Sequence, residues 1–206
     1  MKILELFAGT KSFSKVAEAR GHEVFTVEID KKFNPNLCKD VMDLTAKDIL
    51  CLFGEPDMVW ASPPCTEYSH AKRRGVRKIE EANKIVMKTI ELIRQLEPKF
   101  WIIENPQTGL LKEQSFMQDF LFIDCSYCKY GMPYRKQTRL WNNFHLILKK
   151  CNKDCKFIIP GTKRHMHSAG NNRKEWTKKI YSDAKSKYAI PELLCKEIIK
   201  QVEVEA

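Results

Sequence analysis

Short apolar runs alternate with amphipathic segments along most of this chain. The runs predict strands at residues 3–8, 24–29, 58–61, 100–103, 121–123 and 139–141. Apolar residues spaced three or four apart predict helices at residues 12–20, at residues 79–96 and from Pro191 onward. Strands that alternate with helices predict an α/β fold, with a doubly wound, Rossmann-like sheet and helices on both faces.

The pattern breaks in a segment near the carboxyl terminus. Residues 149–187 are rich in Lys, Arg, Asn and His and show little periodicity. With 206 residues, 43% hydrophobic and 30% charged, the chain suits one globular domain. We therefore interpret residues 1–206 as a single domain, in which residues 142–187 form a basic excursion.

Charge and cysteine content suggest which partners to consider. A formal net charge of +10 favours a polyanionic partner such as nucleic acid, although a basic enzyme with no such partner would have the same composition. The acidic start and the lack of an 18-residue apolar stretch predict an intracellular protein that does not contact membranes. Eight cysteines in such a protein are expected to be core thiols, a nucleophile or metal ligands.

Polar residues follow the first predicted strands, where a doubly wound sheet binds its ligands. The turn at residues 7–12 opens a helix and could present backbone amides to a ligand. The second strand ends near Glu28 and Asp30, and Asp40 follows. Any one of these acids alone is typical of a solvated strand end, but their serial placement favours a nucleoside cofactor.

A stiff turn presents one thiol after the third strand. The segment Ser62-Pro63-Pro64-Cys65 holds the cysteine behind two prolines, which fix φ and remove two backbone donors. Taken alone, such a cysteine is more often structural than catalytic, and Glu104-Asn105-Pro106 alone is a common turn. Whether these residues are catalytic or structural therefore has to be judged together with the other motifs of the chain.

Four motifs together resemble the cytosine-5 DNA methyltransferase family. In chain order they are Leu4-Glu5-Leu6-Phe7-Ala8-Gly9, Val27-Glu28-Ile29-Asp30, Ser62 to Ser69 and Glu104-Asn105-Pro106. The chain is similar to short phage or virus members, in which the target-recognition region is reduced to a segment such as residues 142–187. Lys11 and Ser12 replace two glycines usual in the family, and Tyr188-Ala189-Ile190-Pro191 lacks its usual Gly and Asn.

The resemblance implies an S-adenosylmethionine-dependent methyltransferase that methylates C5 of cytosine in double-stranded DNA. It implies that Cys65 bonds to C6 of a flipped base, that Glu104 assists at N3, and that Arg139 holds the base O2 or Glu104. The implied cofactor-binding residues are Phe7, Ala8, Gly9, Thr10, Glu28, Ile29, Asp40 and Pro63. The basic loop at residues 69–78 could close over the base. The same reaction on RNA such as tRNA, or a catalytically silent nucleic-acid-binding homologue, remains an alternative.

A second group of residues has the spacing of a metal site. Cys125-x2-Cys128 precedes Cys151-x3-Cys155, which His165 and His167 follow. Such short spacings are typical of structural zinc sites, and an ion could order a segment too polar to form its own core. We expect the ligands to be Cys128, Cys151, Cys155 and His165, with Cys125 on the other side of its strand. The alternative is that the thiols are reduced and unliganded.

Overall fold

The computed structural model describes residues 1–70, 72, 75–167 and 189–206. Seven strands lie in these ranges: β1 Lys2–Leu6, β2 Glu23–Glu28, β3 Leu37–Cys38, β4 Met58–Ala61, β5 Phe100–Pro106, β6 Phe122–Ser126 and β7 Gln137–Asn142. The described helices are α1 Ser12–Ala19, α2 Ala46–Leu52, α3 Ile79–Leu96 and α4 Glu192–Glu205. Residues 168–187 of the predicted basic excursion, and Tyr188 after it, lie outside the described residues.

All seven strands form one sheet, in the order β3-β2-β1-β4-β5-β7-β6. Strands β1 to β5 pair in parallel, and β7 inserts antiparallel between β5 and β6. Two apolar layers cover the sheet. One packs α1 and α4 against one face, and the other packs α2 and α3 against the opposite face. The layers give helices on both faces, as predicted.

The strand order creates a crevice at one edge of the sheet. Strands β2 and β3 lie on one side of β1, and β4 and β5 lie on the other. The loops after β1 and β4 therefore diverge, and doubly wound sheets bind their ligands at such a switch point. The register aligns Leu6 with Ala61 and Ala61 with Ile103. The turn after β1, the loop after β4 and the second half of β5 therefore meet at this edge.

The main differences from the prediction concern β5, β3 and α2. Strand β5 continues past Ile103 to Pro106, so Glu104 and Asn105 lie within a strand that pairs with β7. The predicted end of this strand at residue 103 is therefore three residues too early. Strand β3 and helix α2 were not predicted, although Thr45 and Asp48 form a capping box at the start of α2. In the described ranges no helix combines the length and apolarity needed to cross a membrane.

Candidate active site

A cleft of about 270 Å³ lies at the carboxyl ends of β1, β4 and β5. Its volume is close to the roughly 300 Å³ at which typical small-molecule sites begin. It is bordered by the predicted nucleophile and acid, Cys65 and Glu104, and by five of the predicted cofactor residues: Phe7, Ala8, Gly9, Thr10 and Pro63. Two separate sets of motifs in the sequence therefore contribute to one site.

Hydrogen bonds fix the loop that carries Cys65. The Ser62 amide donates to the Leu6 carbonyl at 3.4 Å, and the Trp60 indole donates to the Ser62 hydroxyl at 3.0 Å. The Asn105 side chain, buried within β5, donates to the Pro63 carbonyl at 2.9 Å. Since two prolines already restrict the backbone, these contacts hold the thiol in place at the cleft.

Glu104 is buried beside a hydroxyl and an ammonium group. The Tyr127 hydroxyl donates to Glu104 Oε1 at 3.2 Å, and Lys136 Nζ lies 3.7 Å from the same oxygen. Burial raises the pKa of Tyr127 well above its ordinary value, so Tyr127 remains a hydrogen-bond donor at neutral pH. Lys136 also lines the cleft. The carboxyl group is thus oriented by the 3₁₀ turn Tyr127–Tyr130, which follows β6, and by the residue directly before β7.

Arg139 does not reach this site. Its guanidinium forms an ion pair with Asp124 on β6, with nitrogen to oxygen distances of 2.8 and 3.1 Å, and stacks over the Phe122 ring. In the antiparallel register Arg139 lies opposite Asn105, whereas Glu104 lies opposite Leu140, so Arg139 and Glu104 project to different faces of the sheet. The geometry does not support the predicted contact of Arg139 with Glu104, and Lys136 takes the place expected for it.

The turn after β1 has an unusual backbone. Phe7, Gly9 and Lys11 all have positive φ, at 58°, 44° and 55°. Lys11 thus adopts a left-handed conformation that glycine reaches more easily, which explains why the family usually has glycine in this turn. The Gly9 amide donates to Glu28 Oε2 at 2.9 Å and the Asp30 amide to Glu28 Oε1 at 3.1 Å. The Glu28 carboxylate is therefore held against the first turn.

The other predicted cofactor residues lie outside the cleft lining. Ile29 follows β2 and is 62% exposed, and Asp40 follows β3 and caps a 3₁₀ turn by accepting from the Met42 amide at 2.9 Å. Strand β2 pairs with β1 and β3 pairs with β2, all in parallel, so both residues lie at the same edge of the sheet as the turn after β1. The carboxylates of Glu28 and Asp40 can accept hydrogen bonds from hydroxyl or amino groups, and the exposed side chain of Ile29 offers an apolar surface for a base, a combination that fits a nucleoside.

A buried acid borders the cleft beneath the first turn. Glu5 accepts hydrogen bonds from the Ser14 amide at 3.0 Å and from the Ser14 hydroxyl. Burial raises the pKa of Glu5 from 4.5 to about 7, although the hydrogen bonds from Ser14 act in the opposite direction. The sequence pattern gave Glu5 only as part of a motif, with no role.

The basic loop after Cys65 uses part of its charge internally. Lys72 donates to both carboxylate oxygens of Glu67, and Arg77 donates to the carbonyls of Glu67 and Ser69 at 2.8 Å. The hydrogen bond from Lys72 lowers the pKa of Glu67. Residues 71, 73 and 74 lie outside the described part of the chain. Within it, Lys72 and Arg77 stabilise the loop itself.

The four predicted metal ligands come together away from the cleft. Their ligand atoms, in Cys128, Cys151, Cys155 and His165, all lie within 4.8 Å of one another. Cys125 instead packs into the core with α1 and α4, as expected for the opposite side of its strand. All eight cysteines are among the described residues and none forms a disulfide.

A family model described as C-5 cytosine-specific DNA methylase matches residues 1–121, the region that contains Cys65 and Glu104. The chain belongs to this family. The family prediction and the predicted enzyme class are thereby confirmed.

Two relatives match more of the chain than the family model does. A probable DNA (cytosine-5)-methyltransferase of Frog virus 3 (isolate Goorha) is 30% identical over 224 residues, covering 97% of this chain and 99% of the relative. Type II methyltransferase M.HindV of Haemophilus influenzae is 24% identical over 189 residues, covering 81% of this chain and 58% of the relative. The extent of the first match is in line with the predicted short, viral type of member.

Solved structures confirm the predicted fold. The crystal structure of S. pombe Dnmt2 methyltransferase superimposes with a TM-score of 0.53 at 16% identity, covering 72% of this chain and 53% of that one. A Spodoptera frugiperda DNMT2 mutant gives 0.52 at 17% identity, covering 73% and 53%. The chain thus spans about half the length of these two structures, and at this identity the likeness concerns the fold alone.

Proposed function

We propose that this chain transfers a methyl group from S-adenosylmethionine to C5 of cytosine in DNA, through a bond between Cys65 Sγ and C6 of the base. The observation that carries the proposal is that Cys65, Glu104 and the turn after β1 border one cleft. A thiol and an acid that share a cleft with a nucleoside-binding turn match the needs of this reaction. A structural cysteine would not require the acid.

The cofactor would be held by the residues at the ends of β1, β2 and β3. Glu28 would accept hydrogen bonds from the ribose hydroxyls, and Asp40 would accept one from the amino group of the adenine. Phe7 and Ile29 would contact the adenine ring. The backbone of Ala8, Gly9 and Thr10, together with Pro63, would border the rest of the cofactor. When bound, S-adenosylmethionine supplies an electrophilic methyl group.

The protein's own residues activate the base. The Cys65 thiolate adds to C6, which moves electron density towards N3 and O2 and makes C5 nucleophilic. Glu104, oriented by the Tyr127 hydroxyl, holds a proton at N3. We assign Lys136, in place of Arg139, the role of the positive charge that stabilises O2. After C5 carries the methyl group, its proton passes to water, and the electron pair of the C5–H bond forms the C5–C6 double bond as the Sγ–C6 bond breaks and releases Cys65.

The substrate would be a base rotated out of double-stranded DNA, because C6 of a stacked base cannot reach a thiol in a cleft. A net charge of +10 supports phosphate binding. We propose that residues 1–206 act as one catalytic domain and that residues 142–187 serve as a reduced target-recognition segment. So short a segment favours a short or relaxed target sequence. The protein would act within the cell, wherever this DNA is.

Methyl transfer can be tested with S-adenosylmethionine labelled in its methyl group. Purified protein is incubated with duplex DNA of mixed sequence or with tRNA, and label is measured in each. We expect label in the DNA cytosines of the wild type and a loss of at least about 100-fold in Glu104→Gln, since an acid in the reaction contributes about 10²–10⁴ in rate. Label in tRNA alone would favour the RNA reaction. Cofactor binding without transfer to either would favour a silent homologue.

A further inference from the structure

The loop after β7 and the turn after β6 share a cluster of three thiols and an imidazole. Cys151 Sγ and Cys155 Sγ lie 3.5 and 3.3 Å from His165 Nε2, and Cys128 Sγ belongs to the same group, within 4.8 Å. We propose that Cys128, Cys151, Cys155 and His165 bind one structural zinc ion. This proposal does not depend on whether the protein transfers methyl groups.

The distances match a tetrahedral zinc centre. With Zn–S bonds of about 2.3 Å and Zn–N bonds of about 2.0–2.1 Å, tetrahedral angles place a sulfur and a nitrogen about 3.6 Å apart. The two sulfur to nitrogen distances above are close to this value. These two distances therefore need to change by only a few tenths of an ångström around an ion.

The environment of Cys151 is suited to a metal-bound thiolate. The backbone amides of Lys153 and Asp154 donate to the Cys151 sulfur, and the Cys151 amide donates to Ser126 Oγ at 3.1 Å. Such contacts orient a ligand and offset the charge of a coordinated thiolate. Because three thiolates and one imidazole fill all four positions of zinc, the ion would have a structural role.

A structural ion would anchor a segment that has little core of its own. Residues 149–167 contain six Lys or Arg residues and one acid, Asp154. Within this segment Ile159 and Met166 donate backbone hydrogen bonds to Arg164 and Phe157, forming a small hairpin that ends near His165. The zinc ion would join this basic hairpin to the Cys128 turn at the edge of the sheet.

The metal site would also be coupled to the cleft. Cys128 follows Tyr127 in the same 3₁₀ turn, and the Tyr127 hydroxyl contacts Glu104. An ion on Cys128 would fix the position of this turn. Loss of zinc is therefore expected to disturb the surroundings of Glu104 as well as the basic hairpin.

Metal analysis of protein purified without a histidine tag tests the proposal. We expect about one zinc per chain in the wild type, as for other closed four-ligand sites, and less than about a tenth of that in Cys155→Ser and His165→Ala. Two matched controls should retain zinc. Cys51→Ser alters an exposed thiol outside the cluster, and His165→Cys keeps four ligands.

Cobalt titration keeps the test decisive if a variant does not fold. Wild-type protein stripped of metal is titrated with Co²⁺, and the absorption of tetrahedral, thiolate-bound cobalt is recorded. Saturation at about one equivalent, reversed by Zn²⁺, would support the site. A wild-type protein that contains no zinc and gives no such spectrum would overturn the proposal and leave hydrogen-bonded thiols as the correct description.

Discussion

The side-chain amide of Asn105 donates a hydrogen bond of 2.9 Å to the backbone carbonyl of Pro63, and so joins β5 to the loop that presents Cys65. Asn105 is fully buried and follows Glu104 directly in β5. Its side chain and that of Glu104 project to opposite faces of the strand. One dipeptide thus positions the loop of the proposed nucleophile and supplies the proposed acid.

Replacing Asn105 should therefore damage catalysis more than folding. In Asn105→Ala the Pro63 carbonyl loses its buried partner, which costs about 1–3 kcal/mol of unfolding free energy. Displacement of Cys65 should lower kcat by about 100-fold, because small misplacements of reacting groups have effects of this size. Urea unfolding and labelled methyl transfer measure the two effects.

Asn142→Ala is the matched control for this change. The Asn142 side chain is also buried and donates to a backbone carbonyl, that of Leu140, at 3.1 Å. Asn142 lies on β7, away from the Cys65 loop. A similar loss of stability with nearly normal kcat is expected. Equal losses of kcat in the two variants would contradict a specific role for Asn105.

Lys136 and Arg139 should respond differently to removal of their charge. Lys136→Met deletes the ammonium group beside Glu104 and should reduce kcat by roughly 100-fold with little change in stability, since removing one preorganised donor has a cost of this order. Arg139→Met removes the nearer cation from Asp124, leaving the exposed Lys150 at 3.8 Å, and should destabilise the fold by up to roughly 3 kcal/mol. Single-turnover rates and denaturant unfolding separate these effects.

If Arg139→Met does not fold, the pair can be neutralised together. The double variant Arg139→Gln with Asp124→Asn removes both charges and leaves no unpaired one, so it should retain kcat. Loss of catalysis in the double variant, together with normal catalysis in Lys136→Met, would restore Arg139 as the residue that acts on the base.

Much of the fold could be predicted because the sheet and its helices are strongly patterned. Helix α3 and strand β4 have the predicted bounds, since a long amphipathic repeat and a fully buried apolar run each favour one structure. Strand β3 has only two residues and owes its existence to pairing with β2. The extension of β5 through Asn105 and Pro106 depends on β7 and could not be inferred from the local sequence.

Residues of the site could be predicted only where they belong to a recognisable sequence motif. Cys65 and Glu104 belong to recognisable motifs, and both border the cleft. Tyr127 and Lys136 have no comparable signal, because they meet Glu104 through the order of β5, β7 and β6. The expectation for Arg139 came from the family resemblance, whereas the alternation of side chains along β7 decides which residue faces Glu104.

The pKa of Glu5 gives a prediction for pH. Since burial raises the pKa of Glu5 to about 7, above the 4.5 of the unfolded chain, folding is most favoured when Glu5 is protonated. Its contribution is complete below about pH 4.5 and is lost as pH rises through 7, by up to about 3 kcal/mol.

Urea unfolding from pH 4.5 to 8 measures this contribution. In Glu5→Gln the side chain stays neutral and its oxygen can still accept from Ser14, so the variant should lose less stability than the wild type across this range. If the two proteins lose equal stability across this range, the pKa of Glu5 does not differ between the folded and unfolded states as described.

The bond between Cys65 and cytosine C6 is tested most directly with duplex DNA that carries 5-fluorocytosine throughout one strand. Fluorine at C5 cannot leave as a proton does, so the Sγ–C6 bond should persist once the methyl group has been transferred. We predict a denaturation-resistant complex that needs S-adenosylmethionine, maps to Cys65 by mass spectrometry, forms with Cys38→Ala and is absent with Cys65→Ala. A complex that maps to another residue, or methylation of ordinary DNA by Cys65→Ala, would contradict the assignment.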